Sequence, residues 1–222
     1  AAPPTDRVPD DELLAQAAGG DAQAFADLFR RRHRDVFRFA LHMTGSTAVA
    51  EDVVQDVFMI VMRDGARYDA GRATVAAWLC GIARNCVRQR CDRDRRLESI
   101  DLAGERDERP DVDGPTAPLT GLLRAERIEK LRRAVQALPL PYREAVVLCD
   151  LQEMSYEEAA AAAGCPVGTV RSRLHRARAM LGARLDAFGL ALGASPARHD
   201  PAARPVDGDW RGPVGAASSG AG

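Results

Sequence analysis

The segment from Met154 to Leu181, MSYEEAAAAAGCPVGTVRSRLHRARAML, constrains this chain more than any other. Ser155 and Glu158 stand in the S-x-x-E spacing, in which each side chain satisfies an orphan amide of a helix start. A short run of alanines follows. Gly164 then sits where a left-handed turn is needed, and Pro166 where the first position of a new helix falls. Small Ala159, Ala160 and Ala163 let the two helices cross closely, while Val167, Val170, Leu174, Ala177 and Leu181 give the second helix an apolar stripe. This is the punctuation of a helix-turn-helix.

Rotating by about 100° per residue from that stripe places Thr169, Ser172, His175 and Arg176 opposite the core, with Arg171 and Arg173 on the flanks and Arg178 further along. No acidic residue occurs between Pro166 and Leu185. Phosphates repel carboxylates and guanine accepts hydrogen bonds from Arg, so such a helix suits the major groove of duplex DNA. A merely solvated helix of this size would carry Glu beside its Arg.

The rest of the chain reads as all-α. Aromatic residues make up 5% of the chain, and alternating β-branched runs bounded by turns are missing. The 31 Lys+Arg nearly balance 32 Asp+Glu, but the signs lie in different segments, and Lys130 is the sole lysine. Cys80, Cys86, Cys91, Cys149 and Cys165 show no C-x-x-C pair, and His33, His42, His175 and His199 are scattered. No metal, cofactor or nucleophile spacing emerges, which argues against an enzyme. The N-terminal stretch lacks a basic start followed by an apolar run, and no apolar run is long enough for a bilayer, so a cytoplasmic protein without membrane insertion is expected.

The acidic stretch Leu97 to Pro118 reads as a flexible linker. It separates an N-terminal helical bundle, 10–96, from a C-terminal helical domain, 119–192, each expected to fold alone. Residues 1–9 and the Gly/Pro/Ala-rich tail 193–222 read as disordered. In the N-terminal domain, Asp21 caps a helix with Phe25, Leu28, Phe29, Val36, Ala40 and Met43 inward, ending at Gly45. A second helix runs from about Thr47 to Arg63, and a third from near Arg72 past Val87. In the C-terminal domain, Leu122, Ile128, Leu131, Val135 and Leu138 form the apolar face of a helix that Pro139 and Pro141 end.

Two further faces carry possible chemistry. Asp52, Gln55, Asp56 and Met59 fall at i, i+3, i+4 and i+7 on the second helix, away from its core stripe of Ala50, Val53, Val57 and Val61. They form an acidic surface with one apolar member, suited to docking, although such a face is equally an ordinary solvated one. On the third helix, Arg84, Asn85 and Arg88 share one face near Trp78, and its continuation adds Arg90, Arg93, Arg95 and Arg96.

Three blocks, AEDVVQDVF (50–58), AAWLCGIARN (76–85) and SYEEAAAAAGCPVGTVRSRLHRAR (155–178), occur in the order and spacing of the small two-domain sigma factors of bacterial RNA polymerase. From Asp11 to Leu185 the chain resembles this extracytoplasmic-function (ECF) group of the sigma-70 family. The resemblance implies a sigma-2-like bundle and a sigma-4-like four-helix domain. It implies that Asp52, Gln55, Asp56 and Met59 grip the β′ clamp helices of core polymerase, with further contacts to β. It also implies that Arg67, Tyr68, Trp78, Arg84, Asn85 and Arg88, with the loop RYDAGRAT (67–74), recognise and melt the −10 promoter element. Val75 and Ala77 depart from the bulkier residues common there. The helix from Pro166 would read the −35 element, and an anti-sigma factor is a further expected partner.

Fully stretched, the linker reaches about 70 Å at ~3.3 Å per residue, but as free coil it averages only about 26 Å. Polymerase must therefore hold the chain open, and weak promoter binding is expected of the free protein. The alternative reading is an autonomous dimeric regulator whose N-terminal bundle senses a ligand, but neither a dimer helix nor an apolar ligand pocket is evident in the sequence.

Overall fold

Local signals set most helix ends. The computed structural model describes residues 8–100 and 119–187, with side chains described for 8–93 and 126–187. All its regular elements are helical: α1 (Asp10–Ala18), α2 (Ala22–Thr44), α3 (Thr47–Asp64), a 3-10 turn (Gly65–Arg67), α4 (Val75–Ile100), α5 (Leu119–Gln136), α6 (Leu140–Val146), a π turn (Val147–Leu151), α7 (Tyr156–Ala163) and α8 (Val167–Ala187). Asp21 accepts from the backbone amides of Gln23 and Ala24, and Gly45 closes α2 in the left-handed region at φ 78°. Ser46 caps α3. The capping box of α7 is complete: Ser155 Oγ accepts from the Glu158 amide at 3.2 Å, and Glu158 Oε2 accepts from the Ser155 amide at 2.9 Å.

Some expectations shift. Pro166 precedes α8 rather than opening it, since its carbonyl accepts the amides of Thr169 and Val170. The third helix of the bundle starts at Val75, not near Arg72, and its backbone stays helical to Ile100, past the expected boundary at Arg96. α1 has no counterpart in the sequence reading. Its first turn carries Asp10, Asp11 and Glu12, favourable at a helix N-terminus, and it buries Leu13 and Leu14. It is tied down by Arg31, whose Nη1 donates to Val8 O at 2.7 Å and Asp10 Oδ1 at 3.1 Å, so Val8 and Pro9 are ordered against expectation. The expected disordered tail 193–222 and the linker beyond Ile100 lie outside the described residues.

The predicted stripes of α3 and α8 are buried, Val167 only partly, and α4 buries Val75, Leu79, Ile82 and Cys86. Three apolar side chains expected inside are not: Phe29 on α2 and Ile128 and Leu131 on α5 are exposed. Periodicity marks an apolar stripe, but the neighbouring helix covers only part of its width. The buried residues of both halves join in one cluster running from Leu13 to Leu185. α4 packs on α7, and α2 meets α5 and α6. Among the described residues no helix is long and apolar enough to cross a membrane.

Candidate nucleic-acid interface

α8 is held by its apolar stripe against α6 and α7, which leaves the opposite side outward. Ser172, His175 and Arg176 are exposed there, and Thr169 is half-buried. Ser172 Oγ donates to the Thr169 carbonyl at 3.0 Å. The arginines differ in what holds them. Arg171 lies 5.2 Å from the centre of the Tyr156 ring, a cation–π contact that ties it to α7. Arg173 is half-buried beside Cys165, at 3.9 Å from its sulfur. Arg178 makes a two-pronged pair with Asp150, at 3.1 and 2.5 Å, and those hydrogen bonds hold its pKa above the ordinary arginine value. Arg176 has no such brace among the described residues.

The −10 candidates are brought to one region but not to one open surface. Tyr68 donates from its hydroxyl to the Ala73 carbonyl at 2.9 Å, bridging the loop before α4, and its ring meets Trp78 edge-on at 5.5 Å. Trp78 is 4% exposed, and Val75 and Ala77 are buried with it, so these positions serve the core in this arrangement. Arg67 is exposed and Asn85 half-buried. Arg84 and Arg88 converge on Glu144 of α6, at 3.1 and 3.5 Å. Glu144 is 1% exposed, and nothing in the sequence signals this partner, 56 residues from Arg88.

The four candidate docking positions of α3, Asp52, Gln55, Asp56 and Met59, divide. Asp52 and Asp56 receive Arg90 of α4 at 3.0 and 2.6 Å, and the hydrogen bond to Asp56 is the chief reason its guanidinium pKa is raised. Gln55 and Met59 instead line an apolar groove of about 660 Å³ between α2 and α3, with Phe25, Phe29, Phe58 and Met62. Met59 and Met62 are each 59% exposed, far above what an unpartnered soluble surface favours. Phe29 and Phe58 pack edge-on at 4.8 Å across its floor. Phe25 and Phe29, expected in the core, line this groove instead. The clue was the surplus of large apolar side chains at both margins of the α2 and α3 stripes.

Comparison with known proteins agrees with this layout. A family model described as Sigma-70 region 2 matches residues 28–97, and one described as Sigma-70, region 4 matches residues 128–181. The ECF RNA polymerase sigma factor SigM of Mycobacterium tuberculosis is 37% identical over 174 residues, which is 78% of this chain and 82% of that protein. SigE of Mycolicibacterium smegmatis is 36% identical over 181 residues, 78% of this chain and 68% of its own length. Two solved structures share the fold. One is the sigma factor RpoE in complex with the anti-sigma factor NepR from Bartonella quintana, with TM-score 0.59, 27% identity, and coverage of 74% of this chain and 98% of that one. The other is CnrH in complex with the cytosolic domain of CnrY, with TM-score 0.58, 30% identity, and coverage of 80% and 97%. With region 2 and region 4 matched in order and relatives more than a third identical over most of their length, the chain belongs to the ECF sigma factors of the sigma-70 family.

Proposed function

We propose that this sigma factor, which directs promoter-specific initiation by core RNA polymerase, divides the work among three faces. α8 reads the −35 element through Thr169, Ser172, His175 and Arg176, with Arg171, Arg173 and Arg178 placed for backbone phosphates. α4 and the loop before it engage the −10 element through Arg67, Tyr68, Arg84, Asn85 and Arg88, with Trp78 as their packed support. α3 docks on the β′ clamp helices through Gln55 and Met59 in the groove and Asp52 and Asp56 at its side. The observation that carries this reading is α8, where an acid-free surface pairs exposed Arg176 and His175 with arginines braced from behind.

The two functional units are 10–96 and 119–192, joined by the acidic linker 97–118. The chain acts in the cytoplasm, beside polymerase, and contributes recognition rather than catalysis. Because RpoE was solved with an anti-sigma factor, an anti-sigma partner is proposed for this chain too. Co-purification with core polymerase and run-off transcription from a cognate promoter test the whole reading, and failure of both would sink it.

A further inference from the structure

The α2–α3 groove is apolar on its floor and carries charge of both signs on its rim. Phe29 is 37% exposed, and Met59 and Met62 stand further out of the protein. Arg34 on α2 and Glu51 on α3 line the same groove. Both are exposed, and neither has an ion-pair partner among the described residues.

One segment beyond α8 carries the matching pattern. In VDGDWRGPV (206–214), Trp210 is the only aromatic residue after Phe188. Asp207 and Asp209 precede it closely, and Arg211 follows it directly. An indole buries on the order of 200 Å² when it packs, a gain that Trp210 forgoes among Gly, Pro and Ala unless it meets an apolar surface. Reach is ample. From Ala187, where α8 ends, the chain advances 23 residues to Trp210. That span covers about 76 Å at ~3.3 Å per residue, and averages about 26 Å as a coil. The average is comparable with the length of α2, about 34 Å at 1.5 Å per residue, so the tether crosses a molecule built on such helices.

We propose that the segment around Trp210 seats in the α2–α3 groove of its own chain. The indole packs against Phe29, Met59 and Met62, with Asp209 toward Arg34 and Arg211 toward Glu51. Tethering holds the segment near the groove at an effective concentration on the order of millimolar, so a weak contact suffices. Unbranched methionine side chains adapt to such an insert. Seated there, the tail covers Gln55 and Met59 and competes with core polymerase for them. This consequence rests on the docking reading given above, whereas the seating itself does not.

Fluorescence of the full-length chain tests the seating. Trp210 is one of two tryptophans, and Trp78 is buried, so subtracting the signal of Trp210→Ala in each background isolates its emission. In the native chain Trp210 is expected to be quenched by acrylamide about fivefold less than in urea, as follows when the groove is free in about a fifth of the molecules. Reversing the rim, Arg34→Glu with Glu51→Arg, is expected to expose it. Reversing the tail as well, Asp209→Arg with Arg211→Asp, is expected to shield it again, a recovery that a misfolded rim variant would not show. Equal quenching in native chain and urea overturns the seating, and so does shielding that ignores both reversals. Shielding lost on about a hundredfold dilution assigns the groove to the tail of a second copy and overturns the intramolecular form. Titration with core polymerase then reads the competition. Trp210→Ala is expected to bind about fivefold more tightly than the parent, and unchanged affinity beside a shielded Trp210 overturns the competition. Met59→Arg, made in the Trp210→Ala chain, locates that failure: retained polymerase binding traces it to the docking reading, and lost binding traces it to the tail.

Discussion

Arg176 and Arg178 stand two residues apart on α8 yet meet different surroundings. Arg178 is spanned by Asp150, whereas Arg176 points from the exposed side with no partner among the described residues. A side chain already committed within the protein discriminates poorly among bases. Arg176→Ala is therefore expected to reduce the preference for a cognate −35 duplex over a scrambled one by about 1–3 kcal/mol. Arg178→Ala should weaken both duplexes alike, and titrations of the two duplexes at fixed salt distinguish these outcomes. The thiols differ in a similar way. Burial is the main cause that pushes Cys80 and Cys149 up to about 12 and Cys86 up to about 11. The thiolate is the reactive form, so a thiol reagent at about pH 8 should spare these three in the native chain and reach all five after unfolding. Native modification of Cys80, read by mass spectrometry, would contradict this placement.

At the scale of the element, α3 presents two sides where its spacing suggests one docking face. Replacing both Asp52 and Asp56 with Arg is expected to abolish binding to core polymerase. It should cost the fold roughly 1–2 kcal/mol, because two ion pairs with the half-buried Arg90 are lost and like charges are set beside it. Pull-down with core polymerase and a thermal melt of the same variant measure the two effects. Unimpaired pull-down would remove these carboxylates from the docking face. The caps of α2 and α7 were legible in the sequence because Asp21, Gly45, Ser155, Glu158 and Gly164 act on backbone within a few residues of themselves. The pairing of Asp56 with Arg90, or of Glu144 with Arg88, was not, since it depends on which helix lies alongside. For the same reason Phe29, Ile128 and Leu131 carried the helical period but gave no sign that their neighbours would leave them exposed. The exposed, arginine-rich side of α8 was legible almost entirely, whereas the bracing of Arg171 by Tyr156 was not.

Across the whole molecule, the two halves meet along α4 and around the C-terminal end of α2. His42 lies there, its carbonyl taken by Gln136. Burial first, then the nearby charges of Arg132 and Arg38, hold its pKa below 6.5. The unfolded chain then binds a proton more readily than the folded one, so His42 makes stability fall as pH drops through 6.5 and level off below its folded pKa. His42→Gln should flatten the slope of the urea midpoint between about pH 7.5 and 5.5, and an unchanged slope would assign the acid sensitivity to other groups. The π turn at Val147–Leu151 has a consequence for how this chain tolerates change in length. The Gln152 amide reaches back to the Val147 carbonyl, five residues earlier, where an α-helix would reach four. In genetic terms the turn holds one surplus codon. Removing it would restore ordinary helical winding but swing everything downstream by about 100°, taking α8, the proposed −35 reader, away from the direction in which the rest of the chain presents it. Single-residue deletions here should therefore yield folded, promoter-blind proteins, whereas the same deletion in the linker should pass almost unnoticed.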